Sequence, residues 1–301
     1  MIRDAQDGDY PQITALQNAH YHHHFDQSSQ ETQRSDAQRL EQHGQRFGCL
    51  VLVQGDQVMA GLMYFVPEDL ENVFRFQLFG HPDHYGVLYL DFLARIGKFQ
   101  PRAIQSVVRE DMSEMPFLTH AGLINRYQSW GAHLDLTRFE FGGFTPLEER
   151  LFMDGYEIEQ MDASGNETTW KDMYVLFLET KRDTPYNPTT TLTYPDFAAF
   201  RSSIGTGRVF FATRKEQVVG YTLIDAESST ETMNSAAHRN RGLATLLIAR
   251  ALNWAKLRGL EEAGNGGNVL NLPLLRLQQK LGYKIEPMWS TWWLDLKPDA
   301  V

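Results

Sequence analysis

The sequence predicts an α/β protein built from two tandem copies of one domain, and three observations lead there. An apolar run at 50–53, a turn at 55–58 and a second apolar run at 59–65 return as 209–212, 215–218 and 219–224. The offset is 160 residues through the turn and 159 at Gly61 and Gly220. The phrase Phe117-Leu118-Thr119-His120-Ala121-Gly122-Leu123 returns as Leu277-Gln278-Gln279-Lys280-Leu281-Gly282-Tyr283, again offset by 160. A length of 301 residues suits two domains of about 150 each.

Taken in order, a helix is expected from Asp9 toward the histidines at 20 and 22–24. Residues 28–46, rich in Gln and poor in apolar side chains, read as a surface helix or loop. The hairpin at 50–65 follows, and then a turn at 81–90. Residues 133–136 read as the last strand of the first copy. Gly142, Gly143 and Pro146 are breakers suited to a connector, so the copies are expected to divide as 1–143 and 144–301. A short helix at 147–153 leads past Gly155 to a strand at 156–159. The stretch 183–195 carries three prolines and a run of threonines, and reads as a loop over the second copy. The second hairpin and a strand ending at 231–234 precede the most informative segment.

Composition sets bounds. Apolar residues make up 42% of the chain, which excludes a wholly disordered protein, and no run approaches the ~18 apolar residues of a membrane helix. No basic-then-apolar leader is visible, so a cytoplasmic protein is expected. Cys49 is the single cysteine, so no intramolecular disulfide forms. Twenty-eight basic residues against 38 acidic give a net charge of −10, which opposes nucleic-acid binding and is compatible with a cationic small molecule or with solubility alone. His20 with His23 or His24 has a metal-compatible helical spacing, but no acidic or cysteine partner is fixed by spacing. These histidines read as a solvated helix end, with no metal expected.

The segment 232–259 joins a strand, a polar turn containing Arg239, Asn240, Arg241 and Gly242, and a helix. Leu243, Leu246, Leu247, Ala251 and Trp254 recur at helical spacing, Lys256 and Arg258 occupy the last turn, and Gly259 suits a C-terminal cap. The first backbone N–H groups of such a helix have no internal partner, so a glycine turn with two arginines can hold a phosphate or pyrophosphate. Taken alone, the segment fits equally a helix start with solvated basic residues. Downstream, residues 271–283 read as a short helix with Pro273 in its first turn and Gly282 as its cap.

Arg239-x-x-Gly242-x-Ala244, followed by Asn271-x-x-Leu274-x-x-x-Gln278-x-x-Leu281-Gly282-Tyr283, resembles the two main motifs of the GNAT superfamily of acyl-CoA N-acyltransferases. The opening Ile2-Arg3-Asp4-Ala5 and the hairpin with Gly55 and Gly61 are similar to the start of such a domain. The resemblance covers both copies and so points to the tandem two-domain bacterial type. It implies two GNAT-like domains, each a mixed central sheet flanked by helices.

It also implies an acetyl-CoA cosubstrate. Met233 and Asn234 would offer backbone groups to the pantetheine. Arg239, Asn240, Arg241, Gly242, Leu243, Ala244 and Thr245 would wrap the pyrophosphate, and Asn271 would hydrogen-bond the pantetheine. Asn234 departs from the small apolar residue usual there. Gln278 stands where many members carry a tyrosine acid; it can hydrogen-bond the sulfur but not protonate it. In the first copy the turn is about four residues short and lacks arginine, and Leu118 stands at the Gln278 position, so that copy reads as degenerate for CoA binding.

The reaction needs a neutral amine, and Glu231 is the expected base, with Asp225 and Glu227 just upstream; the other reading of Glu231 is a solvated hairpin charge. Trp289, Trp292 and Trp293 either line an acceptor pocket or pack a terminal strand. The expected function is direct acetyl transfer to a primary amine of a small molecule by a monomer. The alternative is a CoA-binding non-catalytic or regulatory protein of the same fold.

Overall fold

Apolar alternation and breaker placement divide the chain into short strands and helices whose apolar sides face one another. The computed structural model describes residues 1–20, 28–67, 70–188, 190–226 and 228–296. In chain order these form β1 (Ile2–Asp4), α1 (Tyr10–His20), α2 (Ser29–His43), β2 (Gly48–Gln54), β3 (Gln57–Phe65), β4 (Val73–Gly80), α3 (Tyr85–Ile96), β5 (Ala103–Arg109), α4 (Met115–His120) and β6 (Ile124–Asp135). Then come α5 (Thr145–Met153), β7 (Glu157–Met161), α6 (Glu167–Asp183), α7 (Phe197–Ser202), β8 (Arg208–Arg214), β9 (Gln217–Ile224), β10 (Thr230–Asn234), α8 (Leu243–Leu257), β11 (Glu262–Asn268), α9 (Leu272–Leu281), β12 (Lys284–Ile285) and β13 (Trp289–Asp295). Residues 28–46 resolve mostly into a helix, because Ser28 caps α2 by accepting the Glu31 N–H. His22, His23, His24 and Glu227 lie outside the described residues.

Two compact units emerge. One is Met1–Gln128 with the stretch from Pro287 onward, and the other is Ser129–Glu286. These bounds differ from the division at 143 read from the repeat, and strand pairing is the reason. Ser129–Asp135 of β6 pairs with β11, and β12 joins the same stretch at His133 and Ala132. β13 instead pairs along β5, from Trp289↔Arg109 to Asp295↔Ala103.

In the first unit β1, β2, β3, β4, β5 and β13 form a mixed sheet, antiparallel apart from the β4–β5 pair. That pair is joined only through Val73–Arg75 and then diverges. Phe74, Phe76, Leu88, Phe92 and Ile104 are fully buried between sheet and α3, each worth roughly 1.5–3 kcal/mol of transfer free energy. Trp289 and Trp292 pack in this core and Trp293 against Val73 and Ala103, so all three serve terminal-strand packing.

In the second unit β7, β8, β9 and β10 form an antiparallel sheet with β10 at one edge. α6 and α7 pack Trp170, Met173, Phe177 and Phe200 into its core with Tyr221. α8 is almost wholly apolar on its buried side, with Leu246, Leu247, Ile248 and Leu252 fully covered.

The repeat holds at the level of register. Each hairpin is interrupted by a bulge at the same place, between Leu52 and Val53 and between Ala212 and Thr213. The offset stays at 160 beyond the turn: Ala60 faces Leu52 as Gly220 faces Ala212. Gly61 and Gly220 are therefore not equivalent, which corrects the 159 offset. A Cβ on Gly61 would collide with Phe79 across β4, and one on Gly220 with the Asn234 amide across β10. Each glycine makes room for its own large neighbour. Ile13 and Met173 are buried alike in α1 and α6, and Leu118 and Gln278 in α4 and α9.

Candidate functional site

β10 and β11 do not pair; among the described residues one side-chain bond, Asn265 Nδ2 to Thr230 Oγ1 at 2.6 Å, spans them. The opening between them continues into two adjoining cavities of the second unit. The larger, about 570 Å³, runs past the turn at the start of α8; the smaller, about 150 Å³, lies between β10, β11 and the end of α6. Thr180, Thr184, Thr232, Asn271 and Leu274 line both.

Asn234, Arg239, Asn240, Gly242, Leu243, Ala244 and Thr245 line the larger cavity, and Asn271 both. Glu231 and Met233 line the smaller one, while Arg241 and Gln278 line neither. Arg241 is exposed, its carbonyl held by Arg150 at 2.9 Å. Gln278 is fully buried beneath α9, and neither amide atom has a partner among the described residues. Its sequence position suggested the thioester; its burial takes it off the wall.

The turn is built from below. Gly242 caps α8 with φ of 86°, a conformation that side chains oppose. A Cβ there would sit 2.7 Å from Leu147 and 3.2 Å from Arg150 of α5. Gly242 thus serves packing against α5, not only access for a phosphate. The first helical bond recorded at this end runs from the Leu246 N–H to the Gly242 carbonyl, at 3.0 Å. The N–H groups of Leu243, Ala244 and Thr245 precede it. With its amide oriented to satisfy both atoms, Asn234 donates to the Met233 carbonyl at 2.9 Å and accepts the Ala244 N–H at 3.3 Å. The unusual asparagine therefore ties β10 to the helix start.

Arg239 is ion-paired with Asp183 at 3.1 Å on the wall of the larger cavity. His238, hydrogen-bonded to the Tyr156 hydroxyl at 2.9 Å, has its pKa lowered by burial and by Arg214 and Arg241. It favours the neutral ring and adds no fixed charge.

Of the two candidate acids among the described residues, Asp225 accepts the Ser229 N–H in the β9–β10 turn and Glu231 lines the smaller cavity. Tyr194 donates to Glu231 Oε2 at 2.6 Å and Tyr221 to Oε1 at 3.3 Å. Burial raises the Glu231 pKa, and the two hydroxyl bonds oppose the rise. Such a carboxylate can take a proton from a neighbouring ammonium more readily than an exposed one. Sequence reasoning missed Tyr194, which sits in the Pro/Thr-rich loop, and Lys181, in the last turn of α6.

The first unit differs at the matching positions. By the 160 offset, His20 and Glu114 stand where Thr180 and Leu274 line the cavities. His20 Nε2 and Glu114 Oε1 are 2.6 Å apart, and both side chains are under a tenth exposed. Tyr85, fully buried, donates to the Gly80 carbonyl at 3.1 Å where β4 leaves β5. From Gly80 to the start of α3 the connection is four residues shorter than from Asn234 to α8.

Residues 170–283 match the acetyltransferase (GNAT) family model. A GCN5-related N-acetyltransferase from Sphaerobacter thermophilus superposes with a TM-score of 0.68 at 15% identity, covering 98% of this chain and 95% of that one. A tandem GNAT protein from the clavulanic acid biosynthesis pathway gives 0.62 at 16% identity, covering 98% of each chain. A glucosamine N-acetyltransferase region within a fungal multi-domain β-N-acetylglucosaminidase gives 0.62 at 13% identity, over 98% of this chain and 38% of that one. A search of curated proteins finds no match by sequence.

Proposed function

From a chain with the tandem GNAT fold, whose residues 170–283 match that family, we propose an acetyltransferase in which the second unit binds acetyl-CoA and passes its acetyl group directly to a primary amine of a small molecule. The observation that carries this reading is the pair of joined cavities, with a helix N-terminus at one and Glu231 at the other. The N–H groups of Leu243 and Thr245, with Arg239, suit a pyrophosphate. Asn271 and the outward-facing backbone groups of Thr232 and Asn234 on the free edge of β10 suit the amides of a pantetheine arm, whereas Met233 turns its own N–H and carbonyl toward Tyr221.

At the shared wall of Thr232, Asn271 and Leu274 the thioester would meet the amine. The amine nitrogen forms the C–N bond, the C–S bond breaks, and the thiolate leaves with the electron pair. Glu231 takes the amine proton, directly or through water. With Gln278 off the wall, the thiolate leaves without a tyrosine-type acid from α9. Cys49 is buried in the first unit and its thiol is pushed well up by burial, which favours direct attack over an acetyl-enzyme.

Calorimetric titration with acetyl-CoA, followed by thiol release across an amine panel, tests this. Binding with amine-dependent thiol release supports it. Binding without release to any amine favours the non-catalytic CoA-binding alternative, and no binding removes both.

A further inference from the structure

The smaller cavity has only two charged lining residues among those described, and they are opposite in sign: Glu231 on β10 and Lys181 on α6. The rest of its polar lining is neutral, mainly threonine hydroxyls and the amides of Asn265, Asn268 and Asn271. Glu231 is held by two tyrosine hydroxyls and faces the cavity with its remaining acceptor capacity. Lys181 is half-buried, its ammonium 5.8 Å from the centre of the Phe177 ring, with no carboxylate within ion-pair distance among the described residues. It lines the smaller cavity and not the larger one, where the pyrophosphate is proposed.

An amine arriving as an ammonium is attracted by Glu231 and repelled by Lys181. In a confined site of reduced dielectric that repulsion is felt strongly. An acceptor carrying an anionic group on the same short skeleton removes the conflict, since its ammonium meets Glu231 and its anion meets Lys181. Resting on the acetyltransferase reading above, we propose that the acceptor is a small zwitterionic amine of the amino-carboxylate class, with Lys181 binding its carboxylate. Its neutralised nitrogen forms the new C–N bond as the C–S bond breaks, with the proton passing to Glu231 and the thiolate taking the electron pair. A cavity of about 150 Å³ restricts the skeleton to a small one.

The test compares glycine, β-alanine and 4-aminobutyrate with their methyl esters, using acetyl-CoA and thiol release. For at least one of the three, the free carboxylate form is expected to exceed its ester at least tenfold in kcat/KM. Lys181→Met should collapse that ratio toward one, mainly through KM, and Lys181→Glu should turn the preference toward diamines. Circular dichroism and thermal melting check that both variants fold. Acids and esters used equally well by the wild type, or a ratio untouched in Lys181→Met, would overturn the inference. If no amine is acetylated, the acetyltransferase reading fails, and binding still decides this one. Thermal protection of the acetyl-CoA-saturated protein by an amino acid but not its ester, lost in Lys181→Met, supports it; no such protection overturns it.

Discussion

Glu231 is an ionisable group in a place that disfavours its charge. Burial raises its pKa, so the ionised base is lost at a higher pH than an exposed carboxylate would be, and the rate should fall as pH drops through that raised value. Glu231→Gln should lower kcat by about 10²–10⁴ and remove this acid limb. The same substitution should raise the melting temperature at neutral pH, because a carboxylate with a raised folded pKa loses stability as it ionises. An unchanged pH–rate profile in the variant would exclude Glu231 as the base. Asp36 offers a cleaner stability test away from the site. It is buried beside Tyr10 and Arg39, and burial pushes it up to about 6. Its ionisation penalty is absent below the unfolded pKa and complete above the folded one. Asp36→Asn should therefore gain about 2–3 kcal/mol over wild type at pH 8, shrinking toward zero near pH 4, as read by denaturant unfolding at each pH.

Across paired strands, the two copies solve the same packing problem in opposite ways. In the first, Ala60 faces Gly80; in the second, Gly220 faces Asn234. Gly220→Ala alone should cost about 1–3 kcal/mol, since its Cβ would collide with the Asn234 amide. Adding Asn234→Gly, which copies the first unit, should recover most of that loss. Urea midpoints of the two single variants and the double variant measure the coupling; purely additive losses would mean that the two side chains do not compete for space.

Over the whole chain, one acetyl-CoA per molecule is expected, held by the second unit. In the first unit the connection before α3 is four residues shorter and carries no arginine, and the positions matching Thr180 and Leu274 hold the buried His20–Glu114 pair. Calorimetry should give a stoichiometry near one. Arg239→Ala should weaken binding roughly ten- to a hundredfold, by loss of a charge-assisted contact of about 1.5–3 kcal/mol. Gly86→Ala in α3, where a Cβ meets open space, should leave binding unchanged and stabilise the fold by about 0.5–1 kcal/mol. Two equivalent sites would defeat this asymmetry. A monomer is also expected, since an internal duplication can supply the pairing that single-domain relatives reach by dimerising. Sedimentation should then report a mass near 34.6 kDa and not twice that value. No helix among the described residues is long and apolar enough to cross a membrane.

The hairpins, the apolar stripe of α8 and the glycine turn before it were legible in sequence because each rests on local periodicity, and local periodicity follows from backbone geometry. The candidate base was named from the resemblance, because Glu231 lies on the strand that leads into the glycine turn. Other features belong to tertiary structure alone, because they depend on which distant segments meet. Strand pairing, not the connector at 143, decides that Ser129–Asp135 joins the second unit and β13 the first. Leu147 and Arg150 decide what Gly242 must avoid, and burial removes Gln278 from the wall that its motif position suggested. Tyr194 reaches Glu231 from a loop with no periodicity, and Lys181 lies on the same cavity as Glu231 only because α6 ends beside β10. A sequence repeats its spacing along one dimension, whereas charge pairing and cavity walls are set by neighbours in three.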